Sequence, residues 1–92
     1  MYMVRRSRVH GKGLFSTKRI PRGMVIGVCD TEETAEDCIY TLWVDDKGYK
    51  VTCDFRYINH SESPNVAYCD DFSVIALENI SRGQELFHDY DQ

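Results

Sequence analysis

No apolar run in this 92-residue chain approaches the about 20 residues that span a bilayer. Met1-Tyr2-Met3-Val4-Arg5-Arg6 lacks the apolar core of a secretory leader, so an intracellular protein is expected, with no membrane partner. Cysteines number four, Cys29, Cys38, Cys53 and Cys69, and none forms a C-x-x-C pair. That spacing is poor for a zinc knuckle and sets no disulfide framework, so free, mostly buried thiols are expected. His10, His60 and His88 are too scattered for a metal site. An excess of positive charge is also missing. The net charge of −4 argues against direct, non-specific nucleic-acid binding, which needs a basic face. It is compatible with a basic partner.

What is present suits one small globular domain over residues 1–92. Hydrophobic residues make up 42% of the chain, enough for a core near the lower size limit for independent folding. The pattern is one of short strands separated by turn signals. Strands are expected at Tyr2 to Arg6, from Leu14-Phe15, at Met24 to Cys29, Ile39 to Val44, Tyr49 to Cys53, Val66 to Cys69, Phe72 to Leu77 and Glu85 to Tyr90. Turns are expected at His10 to Gly13, Ile20 to Gly23, Asp45 to Gly48, Asp70-Asp71 and Asn79 to Gly83. The single helical candidate is Thr31 to Cys38, with Thr31 as N-cap and Glu32 and Glu33 at the positive end of the dipole. Arg19-Ile20-Pro21-Arg22-Gly23 and Asn79-Ile80-Ser81-Arg82-Gly83 share Ile-x-Arg-Gly, which supports two similar turn-to-strand units.

The least average stretch is Arg56-Tyr57-Ile58-Asn59-His60-Ser61-Glu62-Ser63-Pro64-Asn65. Asparagine, serine and histidine bond local backbone and favour turns. Pro64 fixes its own φ and biases Ser63 toward extended geometry. A strand through Tyr57 and Ile58 is therefore expected to end in a rigid polar corner, braced by Pro64-Asn65. Read alone, such a corner is a well-bonded surface turn. Upstream lies His10-Gly11-Lys12-Gly13-Leu14-Phe15, which lacks the third glycine and following helix of a dinucleotide fingerprint. Downstream lies Gly83-Gln84-Glu85-Leu86-Phe87-His88-Asp89-Tyr90.

In this order the three segments resemble the SET-domain family of protein lysine methyltransferases. That family carries G-x-G-L-F-like, R-F-I-N-H-S-x-x-P-N-like and G-E-E-L-x-x-D-Y-like segments. The likeness covers essentially the whole chain and is closest to the minimal viral or bacterial type without flanking cysteine-rich modules. The resemblance implies a mainly β, β-clip fold of several small sheets, with a C-terminal pseudoknot and little helix. It implies S-adenosyl-L-methionine as cofactor, bound by Gly11, Lys12, Gly13, Arg56, Asn59, His60 and Tyr90. It implies a target lysine that enters from the opposite face through a channel with Tyr40 and His88, and Tyr90 as the catalytic residue. Trp43 and Tyr68 are further channel candidates.

The chemistry suits these residue types. Glycine permits close backbone approach to a ligand, and asparagine offers a donor and an acceptor. The attacking amine must be neutral, although its free pKa is about 10.4, so a dry channel beside a cation is needed. A tyrosine hydroxyl can orient the amine lone pair. The implied substrate is a protein with a basic, histone-like segment, attracted by Glu32, Glu33, Glu36, Asp37, Asp70 and Asp71. The implied location is the nucleus, or the cytoplasm if the source is bacterial. Two departures bear on activity. His88 stands where phenylalanine or tyrosine is common, and the chain ends two residues after Tyr90, where many members continue with a segment covering the cofactor. Another subunit is then expected to cover the cofactor, and a homodimer is an expected assembly. The alternative reading is a non-catalytic SET-like module that binds a basic peptide or partner protein.

Overall fold

The structure, a computed structural model, describes residues 1–38 and 40–89. Its elements in order are β1 (Tyr2–Arg6), β2 (Lys12–Ser16), β3 (Val25–Val28), β4 (Thr31–Thr34), β5 (Thr41–Val44), β6 (Lys47–Val51), a 3-10 helix (Asp54–Tyr57), β7 (Asn59–His60), β8 (Val66–Tyr68), β9 (Ser73–Ala76) and β10 (Phe87–His88). The fold is mainly β, as expected, and divides into four small sheets: β1-β2, β3-β9-β8, β4-β6-β5 and the parallel pair β10-β7. Leu14, Ile20, Phe55, Ile58, Val66, Val74, Ile80 and Leu86 are all at most 2% exposed and form the centre of the core.

The Ile-x-Arg-Gly echo is structural. Ile20 and Ile80 exchange both backbone hydrogen bonds, at 2.9 and 2.8 Å. Around them the contacts repeat under exchange of the two segments. Ser16 N–H donates to Gln84 O at 2.9 Å, and Ala76 N–H donates to Met24 O at 2.9 Å. Gly83 N–H donates to Ser16 O at 2.9 Å, and Gly23 N–H donates to Ala76 O at 2.8 Å. Phe15 faces Glu85 as Val25 faces Ile75. The two turns are thus related by a local two-fold, with Gly23 and Gly83 both left-handed (φ 84 and 82) at equivalent places.

Four expectations are corrected. Thr31 to Cys38 is not helical: Thr31–Thr34 is β4, paired antiparallel with β6. Two helical turns are marginal alone, whereas in the sheet Glu32 faces Lys50, an opposite-charge pair, and the ladder bonds are satisfied. No strand passes through Tyr57 and Ile58. Tyr57 ends the 3-10 helix, Ile58 is its extended C-cap, and the strand begins where the corner was expected, at Asn59. Phe55 turns into the core, and the Arg56 Nη1 donates to the carbonyls of Thr52 (2.9 Å) and Cys53 (3.2 Å), which holds the turn. In the glycine turn only Gly11 (φ 46) is left-handed. Lys12 and Gly13 already belong to β2, and Ser7 N–H closes the turn on Gly11 O at 2.8 Å. The thiols are free, but Cys29 alone is buried, and Cys38, Cys53 and Cys69 are half-buried.

The hairpin β5-β6 is also tighter than expected. Asp45 and Asp46, both left-handed (φ 51 and 65), make the whole two-residue loop. That is the backbone a primed hairpin turn requires, and aspartate tolerates it.

Candidate active site: a strand clamped between two clefts

The C-terminal strand is held from both sides. On one side Leu86 N–H donates to Leu14 O at 2.8 Å, and Phe15 bridges Glu85. On the other, β10 runs parallel to β7, Phe87 beside Asn59 and His88 beside His60. The loop after β7 then closes over it. Ser61 N–H donates to His88 O (3.0 Å) and Asn65 N–H to Phe87 O (3.0 Å). The Asn65 side chain, 3% exposed, accepts from Phe87 N–H (2.8 Å) and donates to Glu85 O (2.8 Å). One amide therefore satisfies two backbone groups of that segment, beside its pairings with Phe15 and Asn59. This clamp is how the 59–65 loop and the C-terminus form the expected knot.

Asn59 reaches a third segment. Its Nδ2 donates to His10 O (3.1 Å), Lys12 O (3.1 Å) and Glu85 Oε2 (3.0 Å). The Ser7 hydroxyl donates to the same carboxylate at 2.8 and 2.9 Å. Gly13 packs over it so closely that an added Cβ would overlap the Glu85 carboxylate. The glycine turn, the Asn59 strand and the C-terminal segment thus meet at Glu85. Sequence reasoning gave Glu85 and Ser7 no role. Glu85 lay inside a motif that was read, but a glutamate near a strand start carries no sign that it is half-buried under a glycine.

Between the glycine turn and the 3-10 helix is a cleft of about 220 Å³, lined by His10, Gly11, Lys12, Tyr40, Arg56 and Asn59. The Arg56 guanidinium lies 4.5 Å from the Tyr57 ring centroid and its Nη2 donates to the Tyr57 hydroxyl at 2.9 Å. The Lys12 Nζ lies 5.8 Å from the same ring. Two cations thus lie against one aromatic ring. Asn59 Oδ1 accepts no hydrogen bond among the described residues.

A second cleft of about 240 Å³ is lined by Thr41, Trp43, Val66, Tyr68, His88 and Asp89, among others. His88 is 5% exposed and meets the Tyr68 ring edge-on, with centroids 4.9 Å apart at 89°. Burial, with the neighbouring His60 second, pushes the His88 pKa down to about 4, against the opposing pull of Asp89. His88 is therefore neutral at pH 7. The Tyr68 hydroxyl donates to Phe55 O at 2.8 Å, which fixes that wall.

Of the residues expected at the site, Gly11, Lys12, Arg56 and Asn59 come together in the first cleft, and Gly13 lies directly behind it. Tyr40, expected in the channel, lines the first cleft, while His88, Trp43 and Tyr68 line the second. The His60 imidazole lines neither cleft. Its Nδ1 lies 3.9 Å from Asp89 Oδ1. Tyr90 lies outside the described residues.

Small sheets with a C-terminal strand clamped beside an Asn-His strand define a class of fold, and the comparisons identify it. The sequence profile of the SET domain matches residues 11–91, and the chain belongs to that family. A sequence search of curated proteins returned no match. Among solved structures, a Plasmodium falciparum protein named provisionally as a histone methyltransferase superposes with a TM-score of 0.79 at 21% identity, over 97% of this chain and 91% of the other. That likeness is one of fold. At the level of the family the chain is a SET-type methyltransferase, and such enzymes generally use S-adenosylmethionine.

Proposed function

We propose that this chain transfers a methyl group from S-adenosyl-L-methionine to a lysine side chain of a protein with a basic, histone-like segment. The observation that carries the reading is a pair of clefts lined by neighbouring residues. Tyr40 and Asn59 line the first, and the adjacent Thr41 and the paired strand's His88 line the second. Two such clefts suit a reaction whose two substrates arrive separately.

The first cleft fits the cofactor's chemistry. Lys12 and Arg56 suit a carboxylate, the open backbone at Gly11 permits close approach, and Asn59 Oδ1 suits an ammonium. The Tyr40 and Tyr57 rings suit a sulfonium or a purine face. When bound, the cofactor supplies an electrophilic methyl group. The protein's part is to hold the amine in line, keep it dry and leave it uncharged. His88 is a poor proton acceptor for an amine, because a group with a pKa of about 4 does not retain a proton at pH 7. It acts as a neutral hydrogen-bonding wall of the channel. Tyr90, by its place in the motif, is the residue assigned to orient the amine. Its free pKa of about 10 likewise makes orientation a better role than proton storage.

The test is labelled methyl transfer from S-adenosylmethionine to an array of basic peptides, parent against Tyr90→Phe. Transfer that falls at least about 100-fold in the variant supports the assignment. Equal transfer by both removes Tyr90 from catalysis. Peptide binding without transfer assigns the non-catalytic alternative.

A further inference from the structure

Charge is divided along the chain in a way the net value of −4 hides. Residues 1–29 contain seven lysines and arginines and no aspartate or glutamate, and all 15 acidic residues fall at or after Asp30. Four of the seven cations, Arg5, Arg6, Arg8 and Lys12, sit on the β1-β2 hairpin and its turn. The register puts Arg6 directly opposite Lys12 and Arg5 opposite Gly13. An open groove of about 650 Å³ lies among Val4, Arg5, Arg6, Gly11 and Lys12, and Arg8 is exposed on the adjoining turn.

Among the described residues the single ion pair is His60 with Asp89, so none of their carboxylates lies within 4.0 Å of a hairpin arginine or lysine. The nearest acid built into this end, Glu85, is engaged by the Ser7 hydroxyl and the Asn59 amide. Arg5 is held 5.1 Å from the Phe15 ring centroid, which orders its planar fork at the surface. Clustered like charges repel, and the described carboxylates leave this cluster unpaired.

We propose that the β1-β2 hairpin is a binding site for the phosphate backbone of double-stranded DNA. A ready arginine fork matches phosphate oxygens, and cations along a groove suit a strand of phosphates. Single strands are gripped through exposed aromatic platforms. The hairpin has none, because Phe15 is half-buried beneath Arg5, and the exposed aromatic Trp43 lies on another sheet. The net-charge argument against nucleic acid averaged over the whole chain, whereas charges farther than about 10 Å are screened at 0.1 M salt. The acidic remainder weakens the site without cancelling it. The inference does not rest on methyl transfer, although the groove shares Gly11 and Lys12 with the first cleft.

The experiment is fluorescence anisotropy of a labelled mixed-sequence DNA duplex titrated with the full chain from about 20 to 200 mM salt. About three to four phosphate contacts give a slope of roughly −3 to −4 in log K against log salt. Arg5→Gln/Arg6→Gln/Arg8→Gln should weaken binding at least about tenfold at the lowest salt and flatten the slope by about 3. Lys47→Gln/Lys50→Gln, on the acidic sheet, should leave both unchanged. Circular dichroism and a thermal melt confirm that each variant is folded. A parent slope shallower than about −1, equal losses in both variants, or tighter binding to phosphatidylserine vesicles than to DNA at equal phosphate would overturn the proposal.

Discussion

Asn59 and Glu85 are bonded side chain to side chain at 3.0 Å, and through that bond three distant segments hold one cleft wall. The Asn59 Nδ2 also reaches the carbonyls of His10 and Lys12, so the residue expected to touch the cofactor first fixes the glycine turn. Glu85→Gln tests this joint. The amide keeps the size and one acceptor but removes the negative charge that Asn59 and Ser7 both bond. Cofactor affinity should fall about tenfold, from a loss of roughly 1.4 kcal/mol, measured by isothermal titration. An unchanged Kd would separate Glu85 from the cleft.

The Asn65 clamp should dominate the stability of the C-terminal segment. Asn65→Ala removes two hydrogen bonds and strands Phe87 N–H and Glu85 O, at a cost of roughly 2–4 kcal/mol in urea unfolding. Asn65→Asp keeps the acceptor for Phe87 N–H and loses the donor to Glu85 O, so it should fall between the parent and the alanine variant. Equal stability of parent and Asn65→Ala would show that the clamp contributes nothing net.

His88 makes stability depend on pH. Its folded pKa of about 4 lies below the ordinary 6.5, so the unfolded chain binds the proton more readily. The contribution is fully present above pH 6.5 and is lost as pH falls toward 4, by an amount on the order of 3 kcal/mol. His60 and Asp89 face the same imidazole, and Tyr68 packs on it. His88→Phe should flatten the melting temperature between pH 6.5 and 4 relative to the parent. Parallel pH profiles for the two proteins would contradict the assignment.

The two-fold about Ile20 and Ile80 predicts coupling. Both side chains are fully buried at one backbone bridge. Each alanine substitution should cost roughly 2–5 kcal/mol, and the double variant should depart from additivity by about 0.5–3 kcal/mol. Strict additivity in the double-mutant cycle would mean the two turns are energetically independent.

Much of this was legible in the sequence because it is local or motif-bound. Pro64-Asn65 reads as a brace from its own chemistry, and the Ile-x-Arg-Gly echo marks the paired turns directly. What was not legible depends on partners far along the chain. Nothing near Asn59 says that its amide ends on His10, Lys12 and Glu85. Thr31 to Thr34 carries good helix-start chemistry, and only the β6 strand across from it makes it a strand. Tyr57 looks extended until the Arg56 guanidinium, bonded back to Thr52 and Cys53, holds it at the end of a 3-10 turn. Tyr40 and His88 share one channel in the family resemblance, whereas Tyr40 lines the first cleft and His88 the second.

The most direct measurement is a 1H-15N NMR titration of the chain with S-adenosylmethionine. The account predicts shifts concentrated at Gly11, Lys12, Arg56 and the Asn59 side-chain amide, with smaller changes at Thr41 and Tyr68 in the second cleft. Saturating cofactor that leaves those signals unmoved, or shifts confined to the cleft beside His88, would contradict it.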